Sequence, residues 1–232
     1  MLLLSLKKCI LNVKKRTIIM KKIPLPVIYR LSYVYEIINK LEESGVGKVS
    51  SSELGEYLGQ TAHTIRKDIH FLGIAGTPGT KYEIADLKRL IIEHLGFGEW
   101  KKCCIVGLER LGEALLEHLL AMPQGAFQIV AGFDSNINRL ETIKSSVELF
   151  PAYRIEEVVR QLRIELALIA VAPQQAQDAA DRCCDGGVAG LLNFTPTVIK
   201  PKRDDCFVRS IDVSGELRIL AALAFTNMNR NE

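Results

Sequence analysis

The residues best suited to chemistry form a glycine turn within residues 103–112, which read CCIVGLERLG. Gly107 and Gly112 hold two of the positions at which a dinucleotide-binding turn requires glycine. Gly107 allows the tight turn after an apolar strand, and Gly112 allows the next helix to pack closely. Asp134 lies 22 residues further on, close to the spacing of a carboxylate that binds a ribose hydroxyl. These residues predict a cradle for a dinucleotide.

The middle position of this turn holds Glu109 rather than glycine. The backbone at this position normally approaches the pyrophosphate, so a glutamate adds both bulk and negative charge there. Two unit charges about 4 Å apart repel by roughly 4 kcal/mol at a surface-like dielectric, before screening by salt. Arg110 next door can offset part of that repulsion. The alternative interpretation is a Rossmann-like scaffold that no longer binds a dinucleotide.

A second group of candidate residues lies within residues 50–71, where the sequence predicts two short helices separated by a glycine turn. Ser50 and Glu53 have the spacing of a capping box, and Gly59 breaks the first helix. This pattern predicts a helix-turn-helix, whose second helix reads DNA. The second helix presents residues suited to base edges and phosphates: Thr61, Ala62, His63, Thr64, Arg66, Lys67 and His70. The alternative is a small helical bundle with a solvated charged face.

The segment after the second helix favours DNA binding. Residues 73–84 read GIAGTPGTKYEI, which predicts a glycine-rich hairpin with a short strand. A hairpin directly after the recognition helix is the wing of a winged helix-turn-helix. Lys81 is the single cation of this wing, so the wing adds little positive charge.

The elements that position these residues follow from the hydrophobic pattern. Apolar residues recur at helical spacing through residues 27–41, after Pro24 and Pro26 have stopped any earlier helix. Further along, helices at 85–95, 113–120 and 174–184 accompany strands at 102–106, 127–133, 166–172 and 188–194. Strands that are apolar throughout predict a parallel sheet covered on both faces. The predicted fold class is α/β, with an N-terminal winged helix-turn-helix domain and a doubly wound, Rossmann-like parallel-sheet domain.

Composition limits the other classes of protein. The 232 residues are 48% hydrophobic and 25% charged, which predicts a globular protein with a sizeable core. The four histidines show no paired metal spacing, so we predict no metal site. Six cysteines without a CxxC motif indicate reduced thiols in a cytoplasmic protein. We predict that the protein is not an enzyme. The rival interpretation is a small NAD-dependent oxidoreductase with an accessory helical domain, but this sequence lacks the substrate domain that such an enzyme needs.

The net charge of +3 gives only weak support for DNA binding. Five basic residues lie within the first 19, which read MLLLSLKKCILNVKKRTII. The apolar run is too short for a signal peptide, and no apolar run is long enough to span a membrane. We expect residues 1–19 to be a disordered extension or a start-site artefact, with Met20 as the alternative start. The remaining alternative is a basic arm that binds DNA phosphates.

Segments along nearly the whole chain resemble the Rex family of bacterial redox-sensing repressors. The matching segments are Tyr29-Arg-Leu-Ser-Tyr, Val49-Ser-Ser-Ser-Glu-Leu, Thr64-Ile-Arg-Lys-Asp-Ile, Gly79-Thr-Lys-Tyr, Ile105-Val-Gly, Leu111-Gly, Phe133-Asp, Ala176-Gln, Leu192-Asn-Phe-Thr-Pro and Ile211-Asp. The resemblance implies a homodimer in which the C-terminal helix, here about residues 214–226, packs into the partner subunit. It also implies that NADH binding releases double-stranded operator DNA and that NAD⁺ permits repression.

The patterns and this resemblance together give predictions for individual residues. DNA contacts are predicted from Arg30, Ser51, Ser52, Thr61, His63, Thr64, Arg66, Lys67, His70 and Lys81. Cofactor contacts are predicted from Gly107, Leu108, Glu109, Arg110, Leu111, Gly112, Asp134 and Asn193. The predicted division is 1–19 extension, 20–98 winged-helix domain, 99–213 dinucleotide-binding domain and 214–232 dimerisation helix.

The chain also departs from the family pattern. Glu109 stands in place of the middle glycine, Glu36 in place of an arginine, and His118 in place of a tyrosine. In the family, that arginine and that tyrosine exchange hydrogen bonds around an aspartate that matches Asp212. Glu36, His118 and Asp212 are therefore the predicted switch residues. The predicted cofactor is NAD, as NADH or NAD⁺, with binding that is weakened or lost.

Overall fold

The structure is a computed structural model that describes residues 23–75, 77, 79–122 and 127–228. It divides into two compact units, with the boundary between Gly98 and Glu99. The predicted extension, residues 1–19, lies outside the described residues. Among the residues described, no helix combines the length and the apolarity that crossing a bilayer requires.

The described residues of the N-terminal unit form four helices and a two-stranded antiparallel sheet. The helices are α1 (Leu25–Glu43), α2 (Ser51–Leu58), α3 (Ala62–His70) and α4 (Ile84–Leu95). The strands are β1 (Lys48–Ser50) and β2 (Lys81–Glu83), which pair with Val49 opposite Tyr82. Strand β2, which lies at the end of the predicted wing segment, therefore pairs with the strand that precedes the helix-turn-helix.

Side-chain caps fix the turn between α2 and α3. The Ser50 hydroxyl accepts a hydrogen bond from the Glu53 N–H at 3.1 Å, and the Glu53 carboxylate accepts one from the Ser50 N–H at 2.6 Å. Gly59 ends α2 in the left-handed conformation, with φ +61°. The Thr61 hydroxyl caps α3 by accepting a hydrogen bond from the Thr64 N–H. The predicted helix-turn-helix is confirmed.

A single apolar core holds the N-terminal unit together. It contains buried residues from all four helices and both strands, including Leu31, Ile65 and Leu87. The spacing of Leu54, Tyr57 and Leu58 in the sequence predicts that all three face inward, but for Tyr57 this prediction is wrong, because its side chain is 63% exposed. The buried face of α2 is centred on Leu54 and Gly55, and Tyr57 lies off that face.

The C-terminal unit is built on a six-stranded parallel sheet. Its strands are β3 (Lys101–Val106), β4 (Phe127–Asp134), β5 (Glu148–Pro151), β6 (Leu166–Ile169), β7 (Gly190–Asn193) and β8 (Phe207–Ser210). Every pairing is parallel. The order across the sheet, β5-β4-β3-β6-β7-β8, is that of a Rossmann fold. The predicted doubly wound α/β fold is confirmed.

Helices complete the C-terminal unit. They are α5 (Arg110–Ala121), α6 (Ile137–Thr142), α7 (Ile155–Leu162), α8 (Ala176–Gly186) and α9 (Val213–Met228), with 3-10 turns at Ala152–Arg154 and Pro173–Gln175. Alternate residues of β3 belong to two different apolar clusters, with Cys104 in one and Cys103 in the other. Burial on both faces explains why the sequence of β3 is apolar throughout.

The structure corrects several strand predictions. The strand predicted at residues 166–172 ends at Ile169, because the chain leaves the sheet before the 3-10 turn that begins at Pro173. The strand predicted at 188–194 spans only Gly190–Asn193. Strands β5 and β8 were not predicted. They are edge strands of four residues each, and such short, partly exposed strands carry no clear apolar run.

The five described cysteines are free, buried thiols of the C-terminal unit. Burial raises the pKa of Cys103 to about 12. Burial and the neighbouring Cys206 thiol, 3.1 Å away, likewise raise the pKa of Cys184 to about 12. Such thiols are poor nucleophiles at neutral pH. Cys9 lies outside the described residues.

Helix α9 leaves its apolar side chains uncovered. Leu217 is 62% exposed, Leu220 59% and Phe225 68%. Asp212 precedes the helix and accepts a hydrogen bond from the Gly215 N–H at 2.9 Å, which caps the first turn. Exposed apolar surface of this kind is typical of an interaction site.

Candidate functional site

The outer face of α3 carries most of the predicted DNA-binding residues. Ile65 and Ile69 are buried on its inner face, and His63, Lys67 and His70 are exposed on the outside. The outer face borders a shallow depression that is lined by His63, Arg66, Lys67, His70, Phe71 and Ala75. A helix with exposed cations and imidazoles on one face has the chemistry needed to contact base edges and phosphates in a major groove.

Two predicted DNA-binding residues, Arg66 and Ser51, contact each other. The Arg66 Nη1 donates to the Ser51 hydroxyl at 3.1 Å, which links α3 to the first turn of α2. Ser51 is 3% exposed, whereas Arg66 is partly exposed. The structure therefore places Ser51 behind Arg66, where it orients the guanidinium.

Arg30 is held in a salt bridge inside the N-terminal unit. Its Nε and Nη2 donate to the two carboxylate oxygens of Asp68 at 2.5 and 2.8 Å. The Asp68 side chain is only 3% exposed, so this pair links α1 to α3 from within the core. The hydrogen bond to Asp68 raises the pKa of Arg30. Any DNA contact made by Arg30 must compete with this bidentate pair.

The remaining predicted DNA-binding residues lie at exposed or half-buried positions. Ser52 is exposed in the first turn of α2, and the Thr61 and Thr64 hydroxyls lie 3.0 Å apart at the start of α3. Lys81 is exposed on β2, with its Nζ 3.5 Å from the Glu53 carboxylate. An exposed ion pair at that distance is weak and leaves Lys81 able to reach another anion.

The glycine turn of the C-terminal unit follows β3 at the carboxyl edge of the sheet. The strand order reverses between β3 and β6, which is where parallel α/β sheets bind their ligands. Gly107 has φ +91°, and a Cβ there would lie 2.5 Å from the Ala170 carbonyl oxygen. A Cβ on Gly112 would lie 1.7 Å from the Gly107 carbonyl oxygen, because α5 packs directly on the turn. Both positions require glycine.

Asp134, at the end of β4, is buried and fully engaged by protein donors. One carboxylate oxygen accepts the Leu108 N–H and the other accepts the Asn136 N–H, both at 2.7 Å. Arg139 Nη1 donates to both oxygens at 2.9 Å. With 3% of the residue exposed, Asp134 shapes the turn from inside and has little capacity left for a ribose hydroxyl.

Glu109 is exposed, and its carboxylate faces Arg139 rather than Arg110. The Arg139 Nη2 lies 3.6 Å from the Glu109 carboxylate. Arg139 therefore bridges Glu109 on the turn and Asp134 on the strand. The hydrogen bond to Asp134, with the nearby charges of Glu109 and Glu113, raises the pKa of Arg139.

Two cavities meet at Glu109. The smaller, of about 220 Å³, is lined by residues that include Gly107, Phe133, Tyr153 and Arg182. The larger, of about 710 Å³, is lined by residues that include Leu108, Arg110, Leu111 and Phe194. Glu109 and Arg139 line both cavities. A dinucleotide lying across the strand-order reversal would place its pyrophosphate close to Glu109.

Sequence reasoning missed two arginines of the smaller cavity, Arg139 and Arg182. An arginine five residues after a strand-end aspartate is a recognisable signal for Arg139, since such an arginine can accompany the ribose site. Arg182 gives no comparable signal, because only the packing of α8 brings it to the cavity. Its guanidinium pairs with Asp178 at 2.8 Å. Both arginines therefore have carboxylate partners.

The other predicted residues of this unit have separate surroundings. Asn193 is buried at the end of β7, where it donates to the Thr197 carbonyl and accepts the Thr195 N–H. His118 is exposed on α5, and Asp212 accepts a hydrogen bond from Arg218 at 3.4 Å. In the N-terminal unit, Glu36 is exposed on α1. Within the described ranges, no group of three or more His, Cys, Asp or Glu side chains could hold a metal ion.

Models of known families match each unit separately. Residues 22–69 match the model described as "Putative DNA-binding protein N-terminus". Residues 99–197 match the CoA binding domain. The first match contains the helix-turn-helix, and the second contains the glycine turn and most of the parallel sheet.

Individual proteins are similar along most of the chain. The redox-sensing transcriptional repressor Rex of Carboxydothermus hydrogenoformans is 35% identical over 86% of this chain and 95% of its own length. The redox-sensing transcriptional repressor Rex 1 of Thermotoga maritima is 33% identical over the same shares. A solved Rex-family repressor, RSP, in complex with NAD⁺ and operator DNA, is 26% identical with a TM-score of 0.79, over 90% of this chain and 95% of its own.

The fold and the two sites define a winged-helix protein with a Rossmann-like nucleotide-binding unit. The identity and coverage then settle the family: this chain belongs to the Rex family of redox-sensing transcriptional repressors. The predicted resemblance is confirmed. Since the family consists of repressors rather than enzymes, the interpretation as an oxidoreductase is set aside.

Proposed function

We propose that this protein represses transcription as a homodimer on double-stranded operator DNA, under control of the NADH/NAD⁺ ratio and with a weakened or lost response to NADH. The observation that carries this proposal is the exposed basic face of α3, in a chain related to Rex repressors over nearly their full length. Support for the ligands comes from RSP, which has been solved with NAD⁺ and operator DNA and, separately, with NADH.

The proposed DNA contacts come from three parts of the N-terminal unit. His63, Lys67 and His70 on α3 face the major groove. Arg66, oriented by Ser51, reaches a phosphate or a base edge. Phosphates are contacted by backbone and side-chain groups at the start of α2 and α3 and in the wing. The residues are Ser52 on α2, Thr61 and Thr64 at the start of α3, and Lys81 in the wing. We place Arg30 behind this surface, where it supports α3 through Asp68.

Replacing Arg66 and Lys67 by alanine tests the DNA-binding assignment. Each contact of this kind is worth about 1–3 kcal/mol, so the double variant should lose most of its operator affinity. Lys67→Ala alone should weaken binding without disturbing the bond between Arg66 and Ser51. A mobility-shift titration measures both effects, with a duplex selected from a randomised library by the unmodified protein as the probe.

Arg89 provides the matched control. It is an exposed cation of the same unit, paired with Asp86 and Glu93 on α4. Arg89→Ala should leave operator affinity unchanged and shift the thermal midpoint little. Unaltered operator binding by the Arg66 and Lys67 double variant would overturn the proposal.

The nucleotide site is proposed at the glycine turn, across the two cavities. Gly107 and Gly112 provide the turn, and the first turn of α5 provides N–H groups for the pyrophosphate. Leu108, Arg110 and Leu111 line the larger cavity. Asp134 and Asn193 act from inside, by fixing the turn and the loop after β7. Glu109 opposes the pyrophosphate, and Arg139 offsets part of its charge.

Glu109→Gly should strengthen NADH binding. A screened repulsion of only about 1.4 kcal/mol costs tenfold in affinity, so calorimetric titration should show at least about that gain. Glu117→Gln, which removes an exposed carboxylate from α5, the helix that follows Glu109, serves as the control and should change little. Sub-micromolar NADH binding by the unmodified protein would show that Glu109 does not weaken the site.

The remaining assignments concern assembly and switching. We propose that α9 forms the homodimer contact and that Glu36, His118 and Asp212 occupy the switch positions. Since Glu36 and His118 lack the hydrogen-bonding chemistry of the family's arginine and tyrosine, NADH should release DNA poorly even from Glu109→Gly. We also propose that the chain divides into four parts, at residues 1–19, 20–98, 99–213 and 214–232. The proposed location is the cytoplasm.

A further inference from the structure

We propose that Arg139 is a latent binding site for a phosphate on the ribose of a nucleotide, kept closed by Glu109. Glu109 then decides whether the site accepts a dinucleotide with an additional ribose phosphate, such as NADPH. This inference rests on the proposed nucleotide site and adds a specificity-determining pair of residues to it.

Arg139 is positioned to meet the ribose of a bound nucleotide. It lies on α6, five residues after Asp134, at the carboxyl end of the strand next to the glycine turn. That is the region where Rossmann folds bind the ribose, and a nearby arginine there accommodates a 2′-phosphate. The Arg139 side chain is 29% exposed and lines both cavities, so a ligand can reach it.

Asp134 is not free to reject a ribose phosphate in the usual way. In Rossmann folds a free strand-end carboxylate binds the ribose hydroxyl and repels a phosphate in its place. Asp134 holds that position here, but its oxygens are occupied by the Leu108 N–H, the Asn136 N–H and Arg139. Because Asp134 is buried and paired, it no longer supplies a free carboxylate to the cavity.

Glu109 supplies the negative charge that rejects a ribose phosphate. Its side chain is 65% exposed, and its carboxylate lies 3.6 Å from the Arg139 Nη2. This is the edge of the guanidinium that a second anion would use, since Nη1 is bound to Asp134. Glu113 adds a further negative charge nearby. Arg182, which lines the smaller cavity, is paired with Asp178 at 2.8 Å.

Removing the charge of Glu109 should therefore favour the phosphorylated ligand more than the unphosphorylated one. Both dinucleotides share the pyrophosphate and gain alike from losing the repulsion there. Only the ribose phosphate of NADPH also gains the released edge of Arg139, through a charge-assisted hydrogen bond. The affinity ratio of NADPH to NADH separates these two effects.

Calorimetric titration of NADH and of NADPH into the full-length protein and into Glu109→Gln tests the inference. The ratio of NADPH to NADH affinity should rise at least about tenfold in Glu109→Gln, and Glu117→Gln should leave it unchanged. Adding Arg139→Ala to Glu109→Gln should remove the rise. If that double variant does not fold, Arg139→Lys replaces it and should retain only part of the rise, because lysine lacks the planar fork.

The results distinguish this inference from the proposed function. If NADH binds and the ratio does not move in Glu109→Gln, or if Arg139→Ala leaves the rise intact, the latent site does not exist while the nucleotide site stands. If neither dinucleotide binds any variant, both the inference and the nucleotide part of the proposed function are wrong. Operator binding in the mobility-shift assay then reports separately on the DNA-binding part.

Discussion

Two buried aspartates, Asp68 and Asp134, are each held by an arginine that is only partly buried. Asp68 binds Arg30 in the N-terminal unit, and Asp134 binds Arg139 in the C-terminal unit. A buried carboxylate without a partner would pay a large desolvation cost, so each arginine is structurally required. Both arginines also lie near a proposed ligand surface, and their structural role must be separated from any role in binding.

Replacing Arg30 by alanine should destabilise the N-terminal unit. The loss of two charge-assisted hydrogen bonds to a buried carboxylate is expected to cost about 2–3 kcal/mol of unfolding free energy. Urea denaturation measures the loss. Arg30→Lys keeps the charge without the bidentate fork and should show a smaller loss. A stable Arg30→Ala variant that fails to bind operator would instead place Arg30 in the DNA contact.

At the scale of elements, the capping box of α2 fixes the start of the helix-turn-helix. Ser50 and Glu53 exchange hydrogen bonds between side chain and backbone, and the helix they begin packs against α3. Because α2 packs against the recognition helix α3, a change at the cap of α2 should alter the position of the DNA-binding face of α3. The hydrogen bond from the Ser50 N–H lowers the pKa of Glu53, with a smaller contribution from Lys81.

The lowered pKa of Glu53 predicts a defined pH dependence. Folding favours its ionised form, so this stabilisation is present above the ordinary glutamate value of 4.5 and is lost as pH falls through the lower folded-state pKa. Glu53→Gln should therefore be less stable than the unmodified protein at pH 7, with the difference closing in acid. Glu56→Gln, an exposed acid of the same helix, should show no such convergence in urea titrations across pH.

Ser50→Ala removes the other half of the box and should cost about 1 kcal/mol at pH 7. A parallel loss with no convergence in Glu53→Gln would mean that the glutamate contributes through packing and not through its charge.

At the scale of the whole molecule, α9 is the element that the chain does not cover by itself. Its apolar side chains are exposed along the helix, from Val213 at 64% to Phe225 at 68%. If α9 forms the proposed homodimer contact, deleting residues 214–232 should give monomers or cause aggregation, because the surface that α9 covers on the partner subunit would be exposed. Light scattering measures the mass. A soluble, stable dimer from the truncated chain would place the interface elsewhere.

Much of the fold and part of the candidate sites could be predicted from sequence. The helix-turn-helix followed from the capping box and Gly59, and the sheet class followed from uniformly apolar strands. The edge strands β5 and β8 were missed because four-residue strands owe their existence to a neighbouring strand. Tyr57 was misplaced because an eight-residue helix shows too little periodicity to fix its buried face.

The sequence by itself determined the features that depend on neighbours a few residues away. Caps act over three residues, and the positive φ of Gly107 and the contact of Gly112 with the Gly107 carbonyl lie within one turn. Only the tertiary structure decided which charges meet. It paired Arg30 with Asp68, 38 positions apart, and set Glu109 against Arg139 rather than the adjacent Arg110. Ion pairs between residues far apart in the sequence depend on how distant elements pack together. Residue types and local spacing do not reveal that packing.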